Sequence, residues 1–342
     1  MRIDRDVRSH EFGYRKIRAL EIGKNVRTIG DRAFCECHQL RKVVFSEGLE
    51  SVGGFIFQDS PLIPSISLPS TLVDIKDDSF FIGFDGILES FDVHPENPRY
   101  CSVDGVLFTK DMKTLIQYPQ NKEADSYVVP DAVETISPDA FAYAKKLRSI
   151  SLPEGLRKIG SGAFEWCESL ESISVPDGVE GIPSYAFFCC YSLGDVVLPK
   201  KLDYLGSESF CFCNRIKEFD IPPGFDQLDY AAIAGCESLE RVTIPEGIRD
   251  VNNSALMDNP RIRSIRLPQS VIAIWEKAFS RCTGLEDINI PPDVYYVSDD
   301  AFQGCESLRR VYVEGDKLED MYWVPDGAEV VRGRPPAPTG KK

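Results

Sequence analysis

The sequence predicts a solenoid, in which one apolar core is extended by stacked coils of equal length, and three observations lead to this prediction. Large apolar side chains recur with a period of 23 residues. A short alternating stretch that ends in proline recurs with the same period. The chain has 342 residues, of which 43% are hydrophobic, which is enough apolar surface for a folded core. A repeat allows a chain of this length to form a single domain instead of two or three.

The period is clearest in an aromatic or large aliphatic residue, which we call the aromatic position. The residue before it is almost always small, as Ala163 is before Phe164. A small side chain there allows successive coils to approach closely. The gap from Phe80 to Phe141 is much longer than one period, which indicates one insertion. The aromatic position is occupied by Phe34, Phe57, Phe80, Phe141, Phe164, Phe187, Phe210, Ile233, Leu256, Phe279 and Phe302.

A short strand follows each aromatic position. Six residues after it stands a Leu or Ile, which we call the leucine position, with apolar residues at +3 and +5 from there and usually proline at +6. Alternation that ends in proline is typical of a short strand and its stop. In the third unit Leu88 arrives two residues late, so we expect a two-residue bulge or loop there. Counting a half-unit that begins at Ile17, we expect twelve parallel strands, roughly 4.8 Å apart, in one concave sheet.

The unit A-F-x-x-C-x-x-L-x-x-I-x-L-P-x-x-V-x-x-I-x-x-x resembles the BspA-type leucine-rich repeat over residues 16 to about 313. The segment NPRYCSVDGVLFTKDMKTLIQYP, residues 97–119, is similar to the hairpin module that interrupts repeats in that family. The resemblance implies an α/β leucine-rich-repeat solenoid with a curved parallel β-sheet on the concave side. It also implies short helical turns and short strands on the convex side, and one inserted β-hairpin module. Proteins of this family recognise other macromolecules, often at a cell surface and without catalysis.

We therefore expect residues 1–15 to be a lead-in and residues 16–318 to form a single solenoid with the hairpin module at about 94–126. Residues 319–342 are predicted to be a C-terminal cap, including Trp323, and a disordered Pro-rich tail. The apolar residues of the module either pack onto neighbouring repeats or belong to a protruding functional loop. They are Tyr100, Val106, Leu107, Phe108 and Leu115.

Charge and composition bear on partners and location. A formal charge of −15 opposes binding to nucleic acid or to anionic membranes. No stretch approaches the roughly 20 apolar residues that cross a bilayer, and the first 20 residues carry charges where a secretory signal would be apolar. Eleven cysteines, an odd number, favour free thiols in a reducing compartment. We expect a cytoplasmic protein, with the cell surface or secretion as the alternative.

Most of the cysteines stand three residues after the aromatic position, where small residues replace them in other units. We expect a ladder of buried thiols, because free cysteine packs as a small hydrophobic residue. Outside this column, Cys35, Cys189 and Cys211 are predicted to be exposed, and a thiol-dependent enzyme built on one of them is a distant alternative. The sequence CECH at 35–38 lacks an evident fourth ligand for zinc, so we expect no metal, no cofactor and no catalytic residues. The column contains Cys37, Cys167, Cys190, Cys213, Cys236, Cys282 and Cys305.

The candidate binding residues lie at positions +1, +2 and +4 after the leucine position, which project from the concave sheet. Arg241, Arg263 and Arg266 are predicted to form a basic island near Asp220, and Tyr312 is the only aromatic residue on the +4 line. Arginine can hold a carboxylate through two parallel hydrogen bonds. A solvated face of mixed charge that binds nothing is the alternative. We expect a non-catalytic protein-protein interaction scaffold of open partner and oligomeric state, or alternatively a cell-surface or secreted adhesin.

Overall fold

A computed structural model describes residues 1–76, 86–318 and 321–336. The described residues divide into two compact units, Met1–Val179 and Glu180–Lys342. Each unit is a parallel β-solenoid in which every coil contributes strands to stacked ladders. The predicted aromatic position Phe80 lies outside the described residues, and so does the end of the Pro-rich tail, residues 337–342.

In the first unit, one strand follows the leucine position of each coil, and a two-residue strand follows later in the same coil. We call these the first-series and second-series strands. The first series is β1 Arg2–Ile3, β2 Ala19–Ile22, β4 Lys42–Phe45, β6 Ser65–Leu68, β8 Ser90–Val93, β12 Ser126–Val128, β14 Ser149–Ser151 and β16 Ser172–Ser174. The second series is β3 Thr28–Ile29, β5 Ser51–Val52, β7 Asp74–Ile75, β13 Thr135–Ile136 and β15 Lys158–Ile159.

The second unit repeats this plan. Its first-series strands are β18 Asp195–Val197, β20 Glu218–Asp220, β22 Arg241–Thr243, β24 Ser264–Ile265, β26 Asp287–Ile290, β28 Arg310–Val313 and β29 Glu329–Arg332. Its second-series strands are β17 Gly181–Ile182, β19 Tyr204–Leu205, β21 Gln227–Leu228, β23 Asp250–Val251, β25 Ala273–Ile274 and β27 Tyr296–Val297. Three first-series strands, β1, β12 and β29, were not among the twelve that the sequence predicted.

The strand register confirms the predicted coil length. Leu20 faces Val43 and Phe219 faces Val242, in each case one full period further along the chain. Ile66 faces Phe91, which lies beyond one period, so this coil contains the two extra residues that the late Leu88 predicted. Every side chain at a given position therefore lies against its counterpart in the next coil.

The core of each unit contains a file of large apolar side chains at the aromatic position, most of which are phenylalanine rings. In the first unit the rings of Phe141 and Phe164 are stacked with centroids 5.2 Å apart. In the second unit Phe187 and Phe210 stack at 5.0 Å. The small residue before each ring is explained by a hydrogen bond, because the Phe141 amide donates to the carbonyl of Ala163 in the next coil at 2.7 Å. A bulky side chain next to this contact would separate the coils.

The prediction of short helical turns is wrong for the described residues, which contain no α-helix. The segment around each ring, which we call the aromatic turn, is instead built from tight turns such as Cys167 N–H to Phe164 C=O at 3.2 Å. Residues two before and two after the ring have positive φ, as Gly162 (63°) and Trp166 (57°) do around Phe164. Left-handed residues interrupt the run of right-handed dihedrals that a helix needs.

The hairpin module lies within the first unit and is part of its ladder. Strands β9 Tyr100–Val103, β10 Val106–Thr109 and β11 Thr114–Gln117 are antiparallel, and β11 then pairs in parallel with β13. The five apolar residues of the module are buried, which supports the prediction that they pack onto neighbouring repeats and not the alternative of a protruding functional loop. They are Tyr100, Val106, Leu107, Phe108 and Leu115.

The beginning of the chain closes the exposed end of the first ladder. Oδ1 of Asp6 accepts the backbone N–H groups of Arg27 and Thr28 at 2.7 and 2.9 Å, and these bonds lower the pKa of the Asp6 carboxyl. In the inner coils a main-chain carbonyl accepts the corresponding N–H groups, as the carbonyl of Arg27 does for two N–H groups of the next coil. A side chain thus takes the place that a main-chain carbonyl has in the inner coils. Glu11 is held by the Arg5 guanidinium and the Arg8 N–H, which lower its pKa to about 2.

At the other end, Trp323 is buried against the last ring of the second unit, with its centroid 5.8 Å from that of Phe302. Strand β29 lies in the segment that the sequence assigned to a cap and tail, and it pairs in parallel with β28. Val311 faces Val330 there, which is less than one period away, so the last coil is shorter than the others. The apolar side chains of the terminal coil are therefore covered by residues that do not follow the repeat.

Candidate binding surface

The candidate surface is the sheet of first-series strands in the second unit. In β20 and β22 the outer residues are exposed and the middle residue is buried, as expected for a strand with one face on a core. Parallel pairing without slippage places Glu218 beside Arg241 and Asp220 beside Thr243. Side chains of opposite charge that are one repeat apart in sequence thus become nearest neighbours.

Arg241 is held by two carboxylates of the preceding coil. Its Nη1 lies 3.0 Å from Asp220 Oδ1, and its Nη2 lies 2.5 Å from Glu218 Oε2. These bonds raise the pKa of the guanidinium, first through the hydrogen bond to Glu218 and then through the charge of Asp220. The Thr243 hydroxyl also donates to Asp220 at 2.6 Å. The guanidinium is therefore fixed in position although about half of the side chain is exposed to solvent.

Two further arginines make equivalent contacts with the following coil. Arg263 Nη1 lies 3.0 Å from Glu286 Oε1, and Arg266 Nη1 lies 2.5 Å from Asp287 Oδ1. The Arg263 side chain is 81% exposed, whereas that of Arg266 is 38% exposed. Two neighbouring coils that carry arginines are therefore flanked on either side by coils that carry carboxylates, and we call this arrangement the charge ladder. Each of the three arginines of the predicted basic island therefore lies against a carboxylate.

A groove of about 750 Å³ lies along one edge of the charge ladder. Its floor is close-packed at Gly284, where a Cβ atom would come within 2.3 Å of the Pro260 carbonyl oxygen. Three arginines and three glutamates border it, namely Arg241, Arg261, Arg263, Glu218, Glu240 and Glu286. Each arginine carries five N–H donors, so the guanidinium groups that hold a carboxylate still have donors available for another molecule.

Tyr312 does not join the other predicted residues, because it is only 6% exposed. The C-terminal segment supplies the physical reason, since β29 lies beside Tyr312 and Arg334, just after it, reaches Gln269 of an earlier coil. Arg334 Nε contacts Glu314 Oε2 at 3.2 Å, and the Asn289 amide donates to the other oxygen of Glu314 at 2.9 Å. The sequence pattern counted Tyr312 and Asn289 as open recognition positions because this segment has no repeat signal.

Two residues of the groove were missed from the sequence, Glu218 and Arg261. Glu218 stands one period of 23 residues before Arg241, so the repeat itself contains the signal that would have found it. Arg261 precedes the leucine position and lies outside the strand. Alternation within a strand could not have indicated that it borders the same groove as Arg263.

The prediction that Cys35, Cys189 and Cys211 are exposed is wrong, because all three are buried. Tight packing of the aromatic turns covers them, and burial raises the pKa of the Cys35 and Cys211 thiols. All eleven cysteines lie in the described residues and are free. Cys101, in the hairpin module, is the one that is partly exposed.

The predicted thiol ladder is buried, and it also makes hydrogen bonds. Cys236 Sγ donates to the carbonyl of Phe210 in the preceding coil at 3.3 Å, and burial raises its pKa to about 12. Ser60 and Asn259 occupy the same position in other coils and make the same bond, to Phe34 and Ile233, at 2.9 and 2.8 Å. The position therefore favours a small residue, often a donor, and does not need a thiol in particular, since the buried Ala144 also fills it.

Two searches over the described part of the chain gave negative results. It contains no helix that is long and apolar enough to span a bilayer. It also contains no group of three or more His, Cys, Asp or Glu side chains arranged to hold a metal ion.

The fold and the repeat define a leucine-rich-repeat solenoid. The family described as "BspA type Leucine rich repeat region" matches in six copies over residues 5–85, 118–240 and 213–321. The chain belongs to this family, as the repeat and the hairpin module led us to expect. A search of curated proteins found no match.

Three solved structures with a similar fold come from bacteria. A leucine-rich repeat protein from Eubacterium ventriosum aligns with a TM-score of 0.56 at 22% identity, covering 84% of this chain and 83% of that one. The pneumococcal vaccine antigen PcpA aligns with a TM-score of 0.55 at 21% identity, covering 96% and 71%. A leucine rich cell surface protein from Faecalibacterium prausnitzii aligns at 0.51 and 18% identity, covering 91% and 83%. At these identities the comparison establishes the fold.

Proposed function

We propose that this protein is a non-catalytic scaffold that binds another protein through the groove beside the charge ladder. The observation that carries the proposal is a row of exposed but fixed guanidinium groups, held by carboxylates on successive strands, next to an open groove of about 750 Å³. Groups that are already fixed lose little conformational entropy when they bind a partner. Charges of both signs at known spacing give register and selectivity more than they give affinity.

The fitting partner presents carboxylates and cationic side chains in alternation. Arg263 is the most open guanidinium, and a partner carboxylate can reach it without breaking its bond to Glu286, because arginine has five donors. Glu240 borders the same groove and offers an acceptor for a partner cation. A partner of uniform charge would meet like charges along the groove, because both arginines and glutamates border it.

The proposal is tested with the double variant Arg241→Glu/Arg263→Glu. Wild type and variant are used as affinity baits in extracts of the native host, and captured proteins are quantified by mass spectrometry. We expect at least one partner to be lost from the variant. The matched control is Arg249→Glu/Lys277→Glu, which makes the same charge change at exposed residues away from the groove. Equal capture by wild type and groove variant, with equal thermal unfolding midpoints, would exclude the groove.

The location of the protein separates two forms of this proposal. Free, buried thiols favour a scaffold in the reducing cytoplasm. The second candidate, an adhesin at the cell surface or in the medium, is favoured by the similarity in fold to a vaccine antigen and to a cell surface protein. Fractionation of the native host, with protease treatment of intact cells, distinguishes the two. Digestion in intact cells supports the adhesin, and protection until lysis supports the cytoplasmic scaffold.

A further inference from the structure

The aromatic turns of the second unit carry exposed rings that the groove does not use. The Phe188 ring lies 5.8 Å from that of Tyr185 and 5.9 Å from that of Phe212, both in edge-to-face geometry. Tyr185 and Phe212 are each 41% exposed. We call these three residues the aromatic patch. Rings that contact one another and remain open to solvent are a common feature of binding sites for other proteins.

The patch is held in place from below. Cys211, Ala231 and Ala234 are buried and form a small apolar cluster against which Phe188 packs. Phe212 lies over Gly235 of the next coil, where a Cβ atom would come within 2.6 Å of the ring. Gly235 also has a φ of 67°, so a larger residue there would be strained as well as crowded. The rings are therefore fixed before any partner arrives.

Later coils of the same unit are polar at these places. The residue directly after the aromatic position is Phe188 in the first coil of the unit, but it is Ser280 and Gln303 in later coils. The positions that correspond to Phe212 include Asp258 and Arg281, which form an ion pair with each other. The apolar surface is thus confined to neighbouring coils and is not a property of every repeat.

A carboxylate accompanies the patch. Glu208 stands one period after Tyr185, at the same place in the next coil, and its N–H donates to the carbonyl of Tyr230 at 2.8 Å. Tyr185 and Glu208 have the same left-handed backbone, with φ of 61° and 53°, so their side chains leave neighbouring coils at equivalent points. Within residues 180–318 and 321–336 the Glu208 side chain makes no ion pair. The charge is therefore available to a ligand.

We propose that the aromatic patch and Glu208 bind a lysine or arginine side chain of a partner protein, next to an aliphatic residue of the same segment. A cation near ring faces gains cation–π stabilisation, and the carboxylate of Glu208 supplies its counter-charge. The methylene stem of lysine or arginine and the neighbouring aliphatic residue cover the apolar rings. The net charge of −15 attracts a cationic segment over distance. This site lies on the turns and does not depend on the groove.

The test uses a random peptide library displayed on phage, selected in parallel on wild type and on Glu208→Gln/Phe212→Ser. We expect peptides that are enriched on the wild type alone to share a lysine or arginine beside an aliphatic residue. The matched control, Tyr295→Ser, removes another exposed tyrosine of the same unit and must retain these peptides. The proposal is overturned if no peptide distinguishes wild type from the double variant, if the distinguishing peptides lack a cation, or if the control loses them too.

A binding measurement then separates the two components of the site. A labelled synthetic peptide of the enriched sequence is titrated by fluorescence anisotropy, and we expect about five- to tenfold weaker binding to the single variant Glu208→Gln. Replacing the peptide cation by norleucine should weaken binding by a similar factor and make the Glu208→Gln change neutral. Independent losses from the two changes would contradict direct contact. Sedimentation that shows a dimer dissociated by the double variant would identify a second copy as the occupant and overturn the proposal.

Discussion

At the scale of single residues, hydrogen bonds between coils explain choices that hydrophobicity leaves open. Three residues after the aromatic position, Cys236, Ser60 and Asn259 all donate to a main-chain carbonyl of the coil before. Ser60 and Asn259 also accept a backbone N–H from the residue at the same position of the preceding coil. These residues are Cys37 and Cys236, and the distances are 3.0 and 2.9 Å. A buried carbonyl without a donor would cost free energy, so the position favours small residues that can donate, with Ala144 as an exception.

Asp139 provides a prediction at this scale. It lies two residues before the ring of Phe141, with its carboxylate against Gly162, and burial raises its pKa to about 6. A raised pKa in the folded state means that the protonated form is favoured by folding. Between pH 4 and pH 6 the unfolded chain ionises this group while the folded chain does not, so the free energy of unfolding falls as the pH rises through that window and is constant above it.

We therefore expect Asp139→Asn to abolish this fall in the free energy of unfolding with rising pH. Relative to wild type, the variant should gain about 2 kcal/mol in free energy of unfolding between pH 4 and pH 8. Urea denaturation at the two pH values measures the change, and the comparison between them cancels any effect of asparagine on the left-handed backbone. Asp131→Asn, at an exposed position in the same unit, is the control. A difference from wild type that is the same at both pH values would contradict the burial of this carboxyl.

At the scale of elements, the aromatic turn and the hairpin module both change the path of the chain while the hydrogen-bonded ladder between coils continues. Left-handed residues on either side of each ring turn the chain, and alternate N–H groups then point to the next coil, as those of Asp139, Phe141 and Tyr143 do. The module leaves this path for an antiparallel excursion and returns at β11, which pairs with β13 in the ordinary parallel sense. The excursion is compatible with the solenoid because it begins and ends in the same ladder.

Asn97 holds the entrance to the module and gives the second prediction. Its Nδ2 donates to the carbonyls of Pro69 and Leu72, each at 2.8 Å, and its Oδ1 accepts the N–H groups of Arg99 and Tyr100. Because the residue is fully buried, Asn97→Ala would leave these groups without partners, and we expect a loss of about 3 kcal/mol in free energy of unfolding.

Urea denaturation measures this loss, with Asn25→Ala as the control. The Asn25 side chain makes an exposed bond to Asp4 at 3.0 Å, and its removal should cost less than about 1 kcal/mol. Equal stabilities of the two variants would show that water replaces the bonds of Asn97 and that the module is held by its apolar residues alone.

At the scale of the whole molecule, the accessibility of the cysteines depends on whether the chain is folded. Ten of the eleven are buried, and burial raises the pKa of the column thiols Cys167 and Cys305 to about 12. A thiol that is both inaccessible and protonated reacts slowly, because the thiolate is the nucleophile. The distribution of cysteines therefore favours packing over catalysis.

We expect a thiol reagent at pH 8 to label at most one cysteine of the native protein, Cys101, before the chain unfolds. The remaining ten should react only in urea, with the same midpoint as the loss of structure. Mass spectrometry of labelled peptides identifies the site, and Cys101→Ser should abolish native labelling. Rapid labelling of Cys35, Cys189 or Cys211 in the native protein would contradict their burial and would return the thiol-dependent enzyme to consideration.

The sequence by itself determined the coil. The spacing of the apolar residues specified the period, the file of large apolar side chains, twelve of the first-series strands and the longer coil at Leu88. It also indicated one insertion, and the resemblance to the repeat family placed a hairpin module at residues 97–119 within it. These features are readable because each coil must bury the same positions as its neighbours, so the core leaves a local and repeated signal.

Only the tertiary structure decided the surface. Stacking brings Glu218 to Arg241 and Asp287 to Arg266, places Glu208 beside the aromatic patch, and lets the C-terminal segment bury Tyr312. It also buries Cys35, Cys189 and Cys211, which the column rule had left outside. The period identifies which residues become neighbours, but whether their side chains meet depends on their conformations and on segments, such as the C-terminal one, that carry no repeat signal.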